Sequence, residues 1–131
     1  MSGFITRLAA TNLDPDYAGG RGLWELTEPL VYDSERAAMT VTVPAGFKTD
    51  FASVLRLPVI YLLFGDKAHA PATVHDYLYT EKIVPRNVAD DVFYEAMRVG
   101  TKLSGIERWM MWSAVRAVGW TRYGKERGSD A

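Results

Sequence analysis

Residues 87–100, NVADDVFYEAMRVG, carry apolar side chains at the spacing of an amphipathic helix. The apolar positions are Val88, Ala89, Val92, Phe93, Ala96 and Met97. Asn87 is a favourable N-cap residue, so we expect the helix to begin there. Asp91, Glu95 and Arg98 are expected on the opposite face, in contact with solvent. The segment therefore predicts a helix that packs one face into a core.

Two further helices are predicted around this one. Residues 71–80 begin with Pro71, which suits the first turn of a helix. Residues 105–119 predict the last helix, and one of its stripes comprises Ile106, Trp109, Met110, Ser113, Ala114 and Ala117. Met111 and Trp112 lie off that stripe. A helix that is apolar on most sides is either deeply buried or covered by another chain, so these two residues are candidates for a contact.

The N-terminal part has the pattern of strands. Residues 39–43, MTVTV, alternate strictly, and residues 33–36, DSER, are typical of a turn. Val31-Tyr32 follows Pro29, which suits an edge strand. Alternation also begins over residues 23–27. We therefore predict an α+β fold, in which an antiparallel β-hairpin region with one buried face packs on three C-terminal helices.

The chain length and composition predict one globular domain over residues 1–131. Within it, residues 1–55 form a β-rich part, residues 70–122 a helical part and residues 123–131 a polar tail. The 15 basic and 16 acidic residues give a net charge of -1, which argues against a nucleic-acid partner. With no cysteine, disulfides, thiolate metal sites and cysteine nucleophiles are excluded.

We expect no signal peptide, because the N-terminal residues lack its pattern, and no apolar stretch is long enough to span a membrane. We expect the protein to be made and kept in the cytoplasm, or carried inside a larger particle.

His75 and Asp90 are the strongest candidates for a chemical site. Asp90 precedes Phe93 by three residues and Met97 by seven, which places it on the apolar side of its helix. Burial of a carboxylate is costly unless the group is paired. Asp90 therefore either forms a capping box with Asn87 or accepts a hydrogen bond from His75. In the first case His75 is an ordinary core histidine; in the second it is a general base toward water.

Asp50 and Asp76 are candidate ligands for a cation. Asp50 lies in the loop sequence KTDFAS, residues 48–53, and Asp76 directly follows His75. Two carboxylates with loop carbonyls suit calcium, which would polarise a carbonyl beside the activated water. The alternative is that Asp50 caps a following turn through Ser53.

Four segments together resemble the family called domain of unknown function 1353. They are KTDFASVLR, VHDYLY, ADDVFYEAMRVG and WSAVRAVG. Members are short proteins of tailed phages and prophages, and Leu55 stands where they usually have proline. The resemblance implies a phage context, with other phage structural proteins as partners and either the host cytoplasm or the virion as location.

Residues 49–119 are also similar, in order and spacing, to the core of prokaryotic phospholipase A2. That resemblance implies a phospholipase A2-like helical core with His75 as catalytic base, oriented by Asp90. It implies calcium ligation by Asp50 and Asp76.

Tyr79 matches the tyrosine that follows the catalytic pair in the phospholipase family. The chain departs from the secreted enzymes in having no cysteine, and residues 56–70 do not match them.

Two functions follow from these patterns. One is calcium-assisted hydrolysis of a phospholipid or an envelope ester, in which the apolar residues 59–64 either meet an acyl chain or form a buried wall. The other is a catalytically silent structural or assembly component of a phage particle, in its tail or baseplate region.

Overall fold

The computed structural model describes the backbone of residues 2–16, 23–49 and 68–126, and side chains as far as residue 117. Within these ranges six antiparallel strands precede three helices, which confirms the predicted α+β class. The strands are β1 (Gly3–Phe4), β2 (Ala10–Asp14), β3 (Leu23–Leu26), β4 (Leu30–Ser34), β5 (Met39–Val43) and β6 (Lys48–Thr49). The helices are α1 (His69–Glu81), α2 (Arg86–Gly100) and α3 (Gly105–Glu126).

The strands form two three-stranded sheets, in the orders β1-β4-β5 and β2-β3-β6. The predicted hairpin is β4-β5, with Leu30 opposite Val43 and Ser34 opposite Met39. Its turn covers residues 35–38, later than the predicted 33–36. Ser34 still belongs to the strand because it pairs with Met39. Its buried hydroxyl donates to Glu95 and accepts from the backbone N–H of Ala37.

The starts of α1 and α2 differ from those predicted. α1 begins at His69, before Pro71. The N-cap of α2 is Pro85, with no capping hydrogen bond from a side chain, so the prediction that Asn87 is the N-cap was wrong. Proline at this place fixes the backbone turn into the helix without needing a donor of its own.

α3 begins at Gly105, as predicted, but ends later than its predicted span. Ser104 and Glu107 form a reciprocal capping box, in which each backbone N–H is bound by the other's side chain. The helix continues to Glu126, past the predicted end at Gly119.

The core has two parts, and α2 contributes to both. The first part joins the β4-β5 hairpin to α1 and α2. The second joins α2 to α3 through residues that include Phe93, Met111 and Val115. Met111 is fully buried in the protein's own core, so the expectation that it contacts another chain was wrong. The exposed side of α3 instead carries Ile106 and Trp109, which belong to the predicted stripe.

Among the described residues, no helix combines the length and the apolar character that crossing a bilayer requires.

Candidate functional site: a buried histidine–aspartate pair

The carboxylate of Asp90 is the centre of a buried polar cluster. Its Oδ1 lies 2.8 Å from Nε2 of His75 and accepts a 2.6 Å hydrogen bond from the hydroxyl of Tyr79. Its Oδ2 accepts a 2.9 Å hydrogen bond from Nη1 of Arg116. Asp90 is fully buried, and His75 is only 2% exposed. Both carboxylate oxygens are therefore held by side chains of other helices.

Helical spacing brings these groups together. His75 and Tyr79 are four residues apart on α1 and so lie on the same face, toward α2. Asp90 projects from the buried face of α2, as its helical spacing from Phe93 and Met97 predicted. The predicted hydrogen bond between His75 and Asp90 is confirmed. The alternative, a capping box with Asn87, was wrong because no side chain caps α2.

The cluster keeps Asp90 ionised. Burial raises the pKa of Asp90, but hydrogen bonds from His75, Tyr79 and Arg116 outweigh burial and hold that pKa below its usual value. Burial and the bond to Asp90 raise the pKa of Tyr79 well above the ordinary range, so its hydroxyl stays a donor. An ionised carboxylate can only accept hydrogen bonds, so the proton of the His75–Asp90 bond belongs to Nε2.

The other ring nitrogen of His75 is left as the basic one. Nδ1 is buried and has no hydrogen-bond partner among the described residues. The ring packs against the rings of Tyr79 and Phe93, with centroids 4.2 Å and 5.0 Å away. These contacts fix the plane of the imidazole. The arrangement can therefore orient a neutral imidazole as a proton acceptor at Nδ1.

Of the two proposed metal ligands, Asp76 belongs to the described residues. Asp76 is buried on α1, whereas Asp50 and Ser53 lie outside the described residues. Residues 59–64, the possible acyl-chain contact, also lie outside them. Across the described part of the chain, no group of three or more His, Cys, Asp or Glu residues could hold a metal ion.

Arg116 was not singled out from the sequence. Its signal was an arginine within the apolar run WSAVRAVG, where a charge needs a partner. Arg116 is about one-third exposed, so its guanidinium reaches Asp90 from the protein surface. Arg86 also donates to the backbone carbonyl of Arg116, which ties the start of α2 to α3.

Two carboxylates predicted to face solvent have partners instead. Glu95 is buried, at 8% exposure, and accepts hydrogen bonds from the hydroxyls of Tyr32 and Ser34 and from the backbone N–H of Arg36. Asp91 is partly exposed and forms a 2.9 Å ion pair with Arg36. The prediction of a solvated face was therefore wrong for Glu95 and incomplete for Asp91.

The family model described as Protein of unknown function (DUF1353) matches residues 24–115, which is most of the chain. The chain belongs to this family. The DUF1353 match runs from β3 into α3 and includes His75, Tyr79 and Asp90, while Arg116 directly follows its last residue. No curated protein and no solved structure matched the chain.

Proposed function

We propose that this DUF1353 member is a phage-type hydrolase in which His75 is the general base for attack of water on an ester. The observation that supports it most is the buried carboxylate of Asp90, which orients His75 through Nε2 and leaves Nδ1 basic. The similarity of residues 49–119 to prokaryotic phospholipase A2 supports the same roles and makes a phospholipid the expected substrate class. An envelope ester has the same reacting bond.

The reaction needs one proton acceptor that can also return the proton. Nδ1 of His75 takes a proton from water while the water oxygen bonds to the ester carbonyl carbon, whose π electrons move onto the carbonyl oxygen. When this tetrahedral intermediate collapses, the bond to the alcohol oxygen breaks. His75 gives its proton to that oxygen, and the products are a carboxylic acid and an alcohol. The negative charge of Asp90 stabilises the imidazolium between the two steps.

Calcium enters the proposal through Asp76 and Asp50. The chemistry that calcium supplies when bound is polarisation of the ester carbonyl. Calorimetry with calcium should show binding to the wild type and a loss of binding in Asp76→Asn, with Asp33→Asn as a carboxylate control on β4. Equal heats for the wild type and Asp76→Asn would contradict ligation by Asp76.

Release of fatty acid from mixed phospholipid vesicles with calcium tests the hydrolase. We expect release by the wild type and its loss in His75→Gln and in Asp90→Asn. His69→Gln, which changes the other histidine, should keep the activity. Circular dichroism shows whether each variant is folded. Release by folded His75→Gln at the wild-type rate, or none by the wild type across several phospholipids and simple esters, would contradict the proposal.

A second candidate function is supported by the burial of His75 and by the exposure of apolar residues on α3. His75 is almost inaccessible, so water and an ester reach Nδ1 only if the site opens. Ile106 and Trp109 on α3 are instead 73% and 59% exposed. Neighbouring apolar side chains at a surface are typical of a contact between proteins. The second candidate is a silent assembly component of the tail or baseplate of a phage particle, bound there by other phage proteins.

Incorporation into particles tests this second function. Purified phage particles from a host that produces the chain should contain the wild-type protein and lack Ile106→Ser. The matched control is Ile5→Ser, because Ile5 is similarly exposed, at 65%, but lies in the N-terminal part. Absence of the wild-type chain from the particles would contradict an assembly role.

A further inference from the structure

A second site lies beside the exposed face of α3, apart from the His75–Asp90 pair. A cavity of about 360 Å³ opens between α2, α3 and the turn of the β4-β5 hairpin. Tyr94, Trp109 and Trp112 supply aromatic surface to it. Its volume is within the range of pockets that hold small molecules. The aromatic side chains offer flat faces on which a planar ring can stack.

The two carboxylates in the wall of this cavity already have donors on all four oxygens. Asp91 accepts from Nε1 of Trp112 at one oxygen and from Nε of Arg36 at the other. Glu95 accepts two hydroxyl hydrogen bonds at Oε1 and the backbone N–H of Arg36 at Oε2. Each carboxylate oxygen of the wall thus already has a donor from the protein, which lowers the need of these groups for donors from a ligand.

The terminal guanidinium donors of the wall, by contrast, are not occupied by the described residues. Arg98 is exposed and has no hydrogen bond or ion pair with any other described residue. Arg36 uses only Nε for Asp91, and its two terminal amino groups have no bonds to the described residues. Guanidinium groups bind carboxylates and phosphates through paired hydrogen bonds. The cavity therefore combines aromatic faces with spare cationic donors.

We propose that this cavity binds a small anion that carries a planar ring. The ring stacks on Trp109, and the carboxylate or phosphate group pairs with Arg98. Ring and charge are both required, since the aromatic faces bind the one and the guanidinium the other. This site does not depend on the hydrolase, because the side-chain hydrogen bonds of His75 and Asp90 go to each other, Tyr79 and Arg116 and not to Trp109 or Arg98.

Isothermal titration of the full chain tests the site with defined probes. Adenosine monophosphate represents ring-bearing phosphates and 1-naphthoate ring-bearing carboxylates. We expect at least one of them to bind saturably and about tenfold more tightly than adenosine or inorganic phosphate, which each lack one half of the ligand. Binding of one probe and not the other identifies the anionic group that the cavity accepts.

Substitutions in the wall give the second part of the test. Arg98→Gln and Trp109→Ala should each weaken binding of the ring-bearing anion about tenfold. Arg7→Gln removes an exposed arginine elsewhere and should leave the affinity unchanged. All the substituted residues are exposed, so folding should survive. No saturable binding of either probe, equal affinity for the half-ligands, or unchanged affinity in Arg98→Gln would overturn the proposal.

Discussion

Asp90 and Asp91 are consecutive residues of α2, yet each is bound by a different residue of α3. Arg116 donates to Asp90 at 2.9 Å, and Trp112 donates to Asp91 at 3.3 Å. Trp112 and Arg116 are four positions apart and so lie on the same face of α3. One face of α3 thus serves both the buried cluster and the wall of the surface cavity.

Arg116 should contribute to stability through its bond to the buried carboxylate. Replacing Arg116 with Gln removes the charged donor of Asp90 Oδ2, and we expect the free energy of unfolding to fall by about 1–2 kcal/mol. The value is modest because Arg116 is partly exposed and its charge is screened. Urea unfolding measures it, with the exposed Lys102→Gln as control. Equal losses in the two variants would mean that the bond contributes nothing specific.

The hydroxyl of Tyr79 should contribute as well. Tyr79→Phe keeps the ring against His75 but removes one donor to Asp90, so the free energy of unfolding should fall by about 1 kcal/mol. Tyr77→Phe is the matched control, because Tyr77 packs edge-on against Phe47 and its hydroxyl binds no described residue. Thermal unfolding measures the loss of stability in both variants. A greater loss of stability in Tyr77→Phe would refute the role given to Tyr79.

The tautomer of His75 is fixed by the geometry. In the neutral ring the proton should be on Nε2, because the ionised Asp90 can only accept. Long-range ¹⁵N–¹H correlation spectra distinguish the two ring nitrogens directly. A neutral His75 with its proton on Nδ1 would contradict both the bond assignment and the proposed general base.

Glu95 should make the protein sensitive to acid. Burial raises its pKa, but hydrogen bonds from the hairpin outweigh burial and hold the pKa of Glu95 below its usual 4.5. The ionised form therefore stabilises the fold fully above about pH 4.5, and this contribution is lost as the pH falls through the lowered pKa. Glu95→Gln should lower the free energy of unfolding by about 1–3 kcal/mol at pH 7, because Gln cannot accept at both of its terminal atoms.

Glu95→Gln should also make the free energy of unfolding depend less steeply on pH in the acid range. Urea unfolding between about pH 3 and pH 7 compares the slopes of the wild type and Glu95→Gln. The exposed Glu28→Gln should keep the wild-type slope. An unchanged slope in Glu95→Gln would show that its carboxylate does not stabilise the fold.

Met111 and Trp109 should respond very differently to truncation, although they are two residues apart on α3. Met111→Ala removes a fully buried side chain and should lower the free energy of unfolding by about 2–4 kcal/mol. Trp109→Ala changes an exposed side chain and should have an effect within about 0.5 kcal/mol. Chemical denaturation of both variants measures the contrast. Similar losses would mean that α3 packs in a different rotation.

The sequence predicted α2 and Asp90 well because the helix is strongly amphipathic. Its apolar repeat leaves one rotation against the core, and in that rotation Asp90 points inward. α3 could not be predicted in the same way. It is apolar on most sides, so periodicity alone does not distinguish the buried Met111 from the exposed Trp109.

Glu95 shows what local patterns omit. A carboxylate is normally placed on a solvated face, and Glu95 is buried only because the hairpin supplies its donors. These donors can be predicted only once the register of β4 against β5 is known. Arg116 is a similar case, since its partner lies on another helix.

The hydrogen bonds of Glu95 also constrain the order in which the chain is assembled. They join residues that are 59–63 positions apart, whereas the hairpin strands themselves are adjacent in the chain. During synthesis the hairpin leaves the ribosome well before α2, and until then Tyr32 and Ser34 lack the Glu95 acceptor. Bringing Glu95 to the hairpin closes a long loop of the chain, and the contacts within the hairpin do not compensate for the entropy that this closure costs. The β-rich half of the chain must therefore wait for the second helix before its buried hydroxyls are satisfied.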